Sequence, residues 1–355
     1  MPAPASRGRV ADRKMPSKAS AAGPPGGSRA VRILGTGSSL PAAAVSSAEL
    51  DGRLGLARGT VEKRTGVRVR YFETRGNAAA LGAEAARRAL AAAGLALSDV
   101  DCLVAASGTP DQAMPSNAAL ILAELAGAGA MPAFDIGASC LGFLVALDTV
   151  ACLIEARRYR RVLIVASDIA SCGLDWTTLE ASGIFGDGAA AAVVGAADGS
   201  GSSLLASAFT TFGEGAHLCE IAGGGSRHHP GRIEGPFLPL SLFRMDGKAV
   251  FRLAAEKLPR FLDELLAAAG VDRDDLAVVV PHQASRHALR FLGRQLGAAR
   301  SRIVDVFAEQ GNQVAASMPS ALDAAVRGGQ LRRGDKALLI GTGAGLGVGG
   351  AVVCY

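Results

Sequence analysis

Short unbroken apolar runs, such as Val162–Ala166 and Ala277–Val280, alternate along this chain with longer alanine- and leucine-rich stretches that carry charge at intervals. The runs read as strands buried on both faces and the stretches between them as helices. The alternation also repeats. Leu90-Ala-Ala-Ala-Gly94, then Asp99-Val100 and Cys102-Leu103-Val104, is matched by Leu266-Ala-Ala-Ala-Gly270, then Asp275-Leu276 and Val278-Val279-Val280. In both places a helix ends at glycine and a buried strand follows. A second pair, Arg160-Arg161-Val162-Leu163-Ile164-Val165 and Asp335-Lys336-Ala337-Leu338-Leu339-Ile340, takes a basic turn into an apolar strand. A third pairs Ala133-Phe134-Asp135-Ile136 with Ile303-Val304-Asp305-Val306.

The pattern predicts two copies of one α/β unit, stacked as a layered α/β/α/β/α sandwich with mixed or parallel sheets covered by helices. The turn cluster Asp198-Gly199-Ser200-Gly201 divides them, giving halves over residues 30–198 and 199–355. Residues 1–29, rich in Pro, Gly, Ala, Ser and Arg, read as a disordered extension without the apolar segment of a secretory signal, and Met15 is an alternative start.

Composition narrows the class. With 355 residues, 49% hydrophobic and 19% charged, the chain can bury a large core. Its apolar runs fall far short of the roughly 20 residues that cross a bilayer, so no membrane span is expected. The six cysteines form no C-x-x-C pair, which suits a reducing cytoplasm and predicts no structural metal. A net charge of +5 is modest and gives no nucleic-acid signature.

One cysteine differs in context. Cys140 follows the extended Phe134–Ser139 and opens a long apolar stretch beginning Leu141-Gly142-Phe143. If that stretch is helical, its free N–H groups and dipole favour a thiolate. Partners are on offer in Pro281-His282-Gln283 at the end of a Val-rich run and in Gly311-Asn312-Gln313. Cysteine, histidine and asparagine together suit acyl transfer. Each has a plainer reading: a small buried hydrophobe, a surface histidine, a turn asparagine. The other five, Cys102, Cys152, Cys172, Cys219 and Cys354, read as small buried hydrophobes.

In the order of its motifs the chain resembles β-ketoacyl-acyl carrier protein synthase III, a condensing enzyme of the thiolase superfamily. The resemblance runs from about Val31 to Tyr355 and rests on Ile33-Leu34-Gly35-Thr36-Gly37, Lys63-Arg64-Thr65-Gly66, Ser139-Cys140-Leu-Gly-Phe143, Ile184-Phe-Gly-Asp-Gly-Ala189, His282-Gln-Ala, Gly311-Asn312, Ala315-Ala-Ser317 and Gly341-Thr-Gly-Ala-Gly345. It implies that Cys140 takes an acyl group from acyl-CoA or acyl-carrier protein. Malonyl-carrier protein then loses carbon dioxide and condenses with that group. It further implies that His282 and Asn312 hydrogen-bond the thioester oxygen, and that backbone N–H groups of Cys140 and Ala344 hold the oxyanion. No cofactor or metal is required. Arg64, Phe185, Lys248 and Phe251 are implied as substrate contacts, and Met114 as a residue reaching a partner's acyl tunnel in a homodimer.

The match departs from the family at the adenine end of coenzyme A. Thr60 stands where an aromatic residue is expected, Leu179 and His287 where arginines are, Lys248 and Ser285 where asparagines are. Arg286, Arg290 and Arg294 recur at helical spacing and with Arg252 suggest a basic docking surface for an acidic carrier protein. Alternatives are transfer of the acyl group from cysteine to a hydroxyl or amine, a non-decarboxylative thioester condensation, and a non-catalytic carrier-binding subunit. The Gly341–Gly350 loop lacks a thiolase's second cysteine, Met114 stands where ketone-forming relatives carry glutamate, and Cys140 itself argues against a non-catalytic role.

Overall fold

The computed structural model describes residues 27–125, 129–297 and 302–355. In chain order the strands are β1 (Val31–Ser39), β2 (Ala44–Ser46), β3 (Val69–Tyr71), β4 (Cys102–Ala105), β5 (Ala133–Asp135), β6 (Arg161–Asp168), β7 (Gly188–Ala196), β8 (Ser203–Thr211), β9 (Cys219–Glu220), β10 (Arg244–Met245), β11 (Leu276–Pro281), β12 (Lys336–Gly343) and β13 (Gly347–Cys354). The helices are α1 (Ser47–Arg53), α2 (Thr60–Thr65), α3 (Ala78–Ala93), α4 (Asn117–Glu124), α5 (Gly142–Glu155), α6 (Leu179–Ser182), α7 (Leu238–Ser241), α8 (Gly247–Ala269), α9 (Arg286–Gln295), α10 (Phe307–Gln310) and α11 (Ser317–Arg327).

Two sheets divide the chain. The first has the order β1-β7-β6-β4-β5 and the second β11-β12-β13-β8, so the chain changes sheets between Ala196 and Ser203. Each sheet mixes parallel pairs (β4 with β5 and β6; β11 with β12) with antiparallel ones. Three apolar clusters show the layering. Alanines of α3 and Ile121 of α4 cover one face of the first sheet. Leu144, Leu147 and Val150 of α5, with Met318 and Leu322 of α11, lie among side chains from both sheets. Phe261, Leu262 and Leu265 of α8 and Leu292 of α9 cover the outer face of the second. The result is the five-layer thiolase-like sandwich, with α5 and α11 in its middle layer.

The repeated helix-to-strand signal corresponds to one device used twice. Both α3 and α8 end at a glycine in the left-handed region, Gly94 (φ 66°) and Gly270 (φ 62°), whose N–H returns to the helix's last carbonyls. The third sequence pair is not symmetric in the structure. Ala133–Asp135 is an edge strand, whereas Ile303 makes only an isolated bridge to Val279. Residues 1–26 of the expected N-terminal extension lie outside the described residues. The last residue of that extension is fixed: Arg29 is buried, exchanges backbone hydrogen bonds with Leu204 and reaches Asp148 and Ser207. An ion pair to α5 of the first half and hydrogen bonds to β8 of the second therefore anchor the chain before β1. Of the five cysteines other than Cys140, Cys102 is buried as expected, whereas Cys152 and Cys172 are exposed and Cys219 and Cys354 half-buried, on the surfaces of the elements that carry them. Among the described residues no helix is long and apolar enough to cross a membrane.

Candidate active site

Cys140 sits in a tight 3₁₀ turn, Ser139–Leu141, that leads directly into α5. Ser139 opens the turn at φ 48°, a left-handed conformation that costs energy for a residue with a Cβ. Gly142 starts the helix against the end of β4, where a side chain would collide with the Ala106 carbonyl. Strand, strained residue and glycine together fix where the sulfur points.

The structure overturns the expectation of a resting thiolate. Burial pushes the Cys140 thiol up to about 12, with Cys219 and Asp168 adding to the rise, against the lowering effect of hydrogen bonds from the backbone N–H groups of Ala344 and Cys140. The residue keeps some exposed surface, but the protein packed around its sulfur disfavours charge more than the helix start favours it. The thiol is neutral at rest. Ala344, the residue implied as oxyanion partner, is close enough for its N–H to favour the charged sulfur.

His282 continues the β11 ladder, its N–H bonded to the Ile340 carbonyl at 2.9 Å. Its side chain is buried at 5% exposure, and burial lowers the imidazole to about 4, so the ring is neutral near pH 7. Nδ1 lies 2.5 Å from Ser317 Oγ, and Nε2 has no protein partner among the described residues. Gln283 beside it is a fully used clamp, donating to the Pro281 and Val304 carbonyls and accepting from Val306 N–H. The strand end that carries the histidine is thereby locked.

Asn312 comes from a loop laced onto the first half. Its N–H donates to the Ile184 carbonyl and its carbonyl accepts from Gly186 N–H. Gly311 (φ 71°) makes this possible, since a Cβ there would lie 2.8 Å from the Ile184 oxygen. The Asn312 side chain accepts from Val314 N–H at 2.9 Å, and its amide group makes one long contact, 3.4 Å, to the Ala284 carbonyl. The amide's other N–H remains to be used. The tail loop joins these pieces: a methyl on Gly341 would sit 2.7 Å from His282 Cβ and 3.5 Å from Leu141 Cδ2. Glycine is what lets histidine strand and nucleophile turn approach each other.

Asp168, at the end of β6, is a further site residue that the sequence reading passed over. Fully buried, it accepts from Gly108 N–H, Thr109 N–H and Thr109 Oγ on one oxygen and from Ala316 N–H on the other. Burial pushes its carboxyl up to about 6 against those hydrogen bonds. A charged residue closing a strand buried on both faces was the available signal. Asp187 accepts from the backbone N–H groups of Glu73 and Ser171 and from the Ser171 hydroxyl.

A cavity of about 560 Å³ abuts the nucleophile turn, lined in part by Ser107, Asn117, Ser139, Leu141, Phe209 and Ala344. Apolar side chains gather elsewhere around Cys140, where Phe185 meets Phe243 edge-on at 4.9 Å with Met245 and Trp176 in the same cluster. Among the described residues no group of three His, Cys, Asp or Glu side chains is placed to hold a metal ion.

The outer residues fall into two sets. Arg252, Arg290 and Arg294 are exposed, and Phe251 packs edge-on against Phe291 at 5.6 Å, which joins the start of α8 to α9 and brings these arginines onto one face. Lys248 is exposed at the start of α8 and Met114 is 84% exposed. Arg286 does not belong with the docking arginines. Its guanidinium donates to the Lys63 carbonyl at 2.7 Å and its side chain lies across Gly66, so it ties α9 to α2. Arg64 forms an exposed ion pair with Glu180 at 3.5 Å, and Leu179 is buried rather than facing a ligand. Of the two positions where arginines are expected to clamp the phosphates of coenzyme A, one is thus a core leucine and the other the exposed His287.

Family models for 3-oxoacyl-[acyl-carrier-protein] synthase III match residues 134–213, and for its C-terminal region residues 266–355. The β-ketoacyl-[acyl-carrier-protein] synthase III of Rhizorhabdus wittichii is 37% identical over 324 residues, covering 91% of this chain and 98% of that protein. That of Neisseria gonorrhoeae is 34% identical, over 91% of this chain and 99% of its own. Among solved structures, the 3-oxoacyl-(acyl carrier protein) synthase III of Pseudomonas aeruginosa superposes with a TM-score of 0.83 at 35% identity, covering 92% of this chain and 98% of that one. The priming β-ketosynthase of the R1128 polyketide pathway gives 0.81 at 33% identity, over 92% and 97%.

Proposed function

The chain belongs to the β-ketoacyl-[acyl-carrier-protein] synthase III family and is a condensing enzyme of that type, serving fatty-acid initiation or a specialised pathway; from this premise we propose how its residues divide the reaction. Cys140 Sγ attacks the carbonyl of an acyl thioester. The new C–S bond forms, the donor's sulfur leaves, and the thiol proton ends on that departing sulfur. Because the thiol is neutral at rest, its proton must be lost as the bond forms. The tetrahedral oxyanion is held by the backbone N–H groups of Cys140 and Ala344. The placement of Cys140 in the turn that enters α5, with Ala344 lining the cavity beside that turn, is the observation that carries the reading.

In the second stage malonyl-carrier protein enters and its C–CO₂ bond breaks. The electron pair moves onto the α-carbon and thioester oxygen, and carbon dioxide leaves. His282 Nε2–H and the spare N–H of Asn312 hydrogen-bond that oxygen. The neutral state of the buried imidazole suits a donor that must not become a cation. The carbanion then attacks the acyl-cysteine and the Cys140 sulfur departs as the leaving group. Phe185, Phe243 and Met245 supply the apolar wall that keeps water from the carbanion. Intact mass measurement after incubation with acyl donors tests the assignment: an acyl adduct on Cys140 that disappears on adding malonyl-carrier protein is expected, and an adduct elsewhere, or none with any donor, overturns it.

The donor is acyl-carrier protein in preference to acyl-CoA. Thr60, Leu179 and His287 offer no adenine stacking or phosphate clamp, and Arg64 is engaged with Glu180. The exposed Arg252, Arg290 and Arg294, with Lys248 beside the pantetheine path, suit an acidic carrier. Comparing Cys140 loading from both donors of one acyl group decides this. A preference for CoA that survives Arg290→Glu and Arg294→Glu sinks it.

The enzyme works as a homodimer, with Met114, 84% exposed on the subunit and flexible, entering the partner's acyl tunnel. Light scattering reports the dimer, and Met114→Phe is expected to shorten the preferred acyl chain. Six free cysteines support a cytoplasmic location.

A further inference from the structure

His282 can donate from Nε2 only if Nδ1 carries no proton, because the neutral ring holds one proton between its two nitrogens. Something must therefore decide the tautomer. The only protein group hydrogen-bonded to Nδ1 among the described residues is the Ser317 hydroxyl, 2.5 Å away. Ser317 is buried at 1% exposure in the first turn of α11.

The hydroxyl has one proton and two acceptors within reach, His282 Nδ1 at 2.5 Å and the Val314 carbonyl at 3.0 Å. Sent to Val314, that proton leaves Nδ1 to donate to Ser317 Oγ and strips Nε2 of its hydrogen. Sent to Nδ1, it leaves Nε2–H facing the substrate. Two observations favour the second arrangement. The Val314 carbonyl already accepts the Ser317 backbone N–H, so it does not depend on the hydroxyl. Gln283 N–H donates to Ser317 Oγ at 3.3 Å, occupying a lone pair and leaving the oxygen's own proton for the shorter contact. Gln283 is itself immobilised by its side-chain bonds, so this donor is fixed.

We propose that Ser317 is a positioning residue that sets the tautomer of His282, through the relay Gln283 N–H to Ser317 O–H to His282 Nδ1, and so makes Nε2 a permanent donor toward the malonyl thioester oxygen. The inference rests on the role given to His282 in the proposed function. It assigns Ser317 a part in decarboxylation and condensation and none in loading Cys140. No covalent change is involved; only the location of two protons is specified.

Neutron diffraction from the deuterated full-length enzyme reads the relay directly. Deuterium on His282 Nε2 and on Ser317 Oγ directed at Nδ1 is expected; deuterium on Nδ1 overturns the proposal whatever the kinetics. In solution, Ser317→Ala is expected to lower malonyl-thioester decarboxylation and condensation about 10–100-fold while leaving Cys140 acylation within about twofold, the scale by which a metal-bound histidine suffers on losing the group that orients it. Ser317→Thr, which keeps the hydroxyl, should recover most of the loss, and melting curves identify any variant that merely unfolds. Normal condensation in a folded Ser317→Ala enzyme refutes the tautomer role. Normal condensation in His282→Ala would instead refute the role of the histidine itself, so the two failures are distinguishable.

Discussion

The two halves build the same catalytic turn and put different chemistry on it. In the first, a 3₁₀ turn over Ser139–Leu141 runs into the buried helix α5; in the second, a 3₁₀ turn over Val314–Ala316 runs into the buried helix α11. Each opens on a residue in the left-handed region, Ser139 at φ 48° and Val314 at φ 53°. The second place in the turn is Cys140 in one half and Ala315 in the other. The first half therefore uses the turn to present a nucleophile. The second uses it as a scaffold: the strained Val314 aims its N–H at the Asn312 side-chain oxygen and its carbonyl at the Ser317 N–H. Strain in the one turn aims a sulfur, and in the other it aligns two donors. Duplication supplied the geometry, and a single side chain decides which half attacks.

This division has consequences that can be measured, beginning with the largest. Cys140→Ala makes the two turns chemically alike, and complete loss of the acyl adduct by mass spectrometry is expected. His282→Ala or Asn312→Ala should leave acylation intact while malonyl-thioester decarboxylation falls about 10²–10³-fold, the usual cost of an oxyanion donor. If either variant fails at loading and decarboxylates normally, the roles assigned to the halves are reversed.

Asp168 links the halves, and its loss tests whether they are held as one unit. It joins the Gly108–Thr109 loop to Ala316 of the second turn. In Asp168→Asn the side chain can accept on one side only and leaves a buried N–H unpaired, so destabilisation of about 2 kcal/mol is expected in denaturant titrations. A stability unchanged from the parent would show that the turns hold their places independently.

The smallest effect is a difference in pH dependence. His282 is lowered from 6.5 to about 4 in the folded protein, so the stability it contributes is complete above about pH 6.5 and is lost as pH falls toward 4. Asp168 is raised from 3.8 to about 6, and its contribution has the opposite sign, growing as pH falls from about 6 toward 3.8. The two oppose each other across the same window. Relative to the parent, His282→Gln should flatten the acid side of the Tm profile and Asp168→Asn should steepen it. Parallel profiles would mean that neither burial is felt by the fold.

The docking surface shows how far a helical spacing can be trusted. Arg286, Arg290 and Arg294 do share one stripe of α9, but only the latter two are exposed, Arg294 lying over the Phe291 ring at 5.7 Å; Arg286 is taken by the Lys63 carbonyl. Spacing places residues on a face, whereas the neighbour that meets that face determines which of them is still available. Likewise the apolar stretch after Cys140 told of a helix start, and the helix is there, but the neutral thiol follows from the packing around the sulfur.

What the sequence determined by itself is local or periodic: buried strands alternating with helices, the glycine-ended helices α3 and α8, the doubled pattern, and the residues Cys140, His282 and Asn312 standing at the ends of predicted elements. Each is written in consecutive residues, because hydrophobic periodicity and turn chemistry act over a few positions. Only the tertiary structure decided the charge states of Cys140 and His282, the use of Asp168 as a strut, the pairing of Arg64 with Glu180 and the contact of Ser317 with His282. All of these depend on desolvation and hydrogen-bond partners supplied by segments far apart in the chain, and no local pattern encodes which distant group arrives.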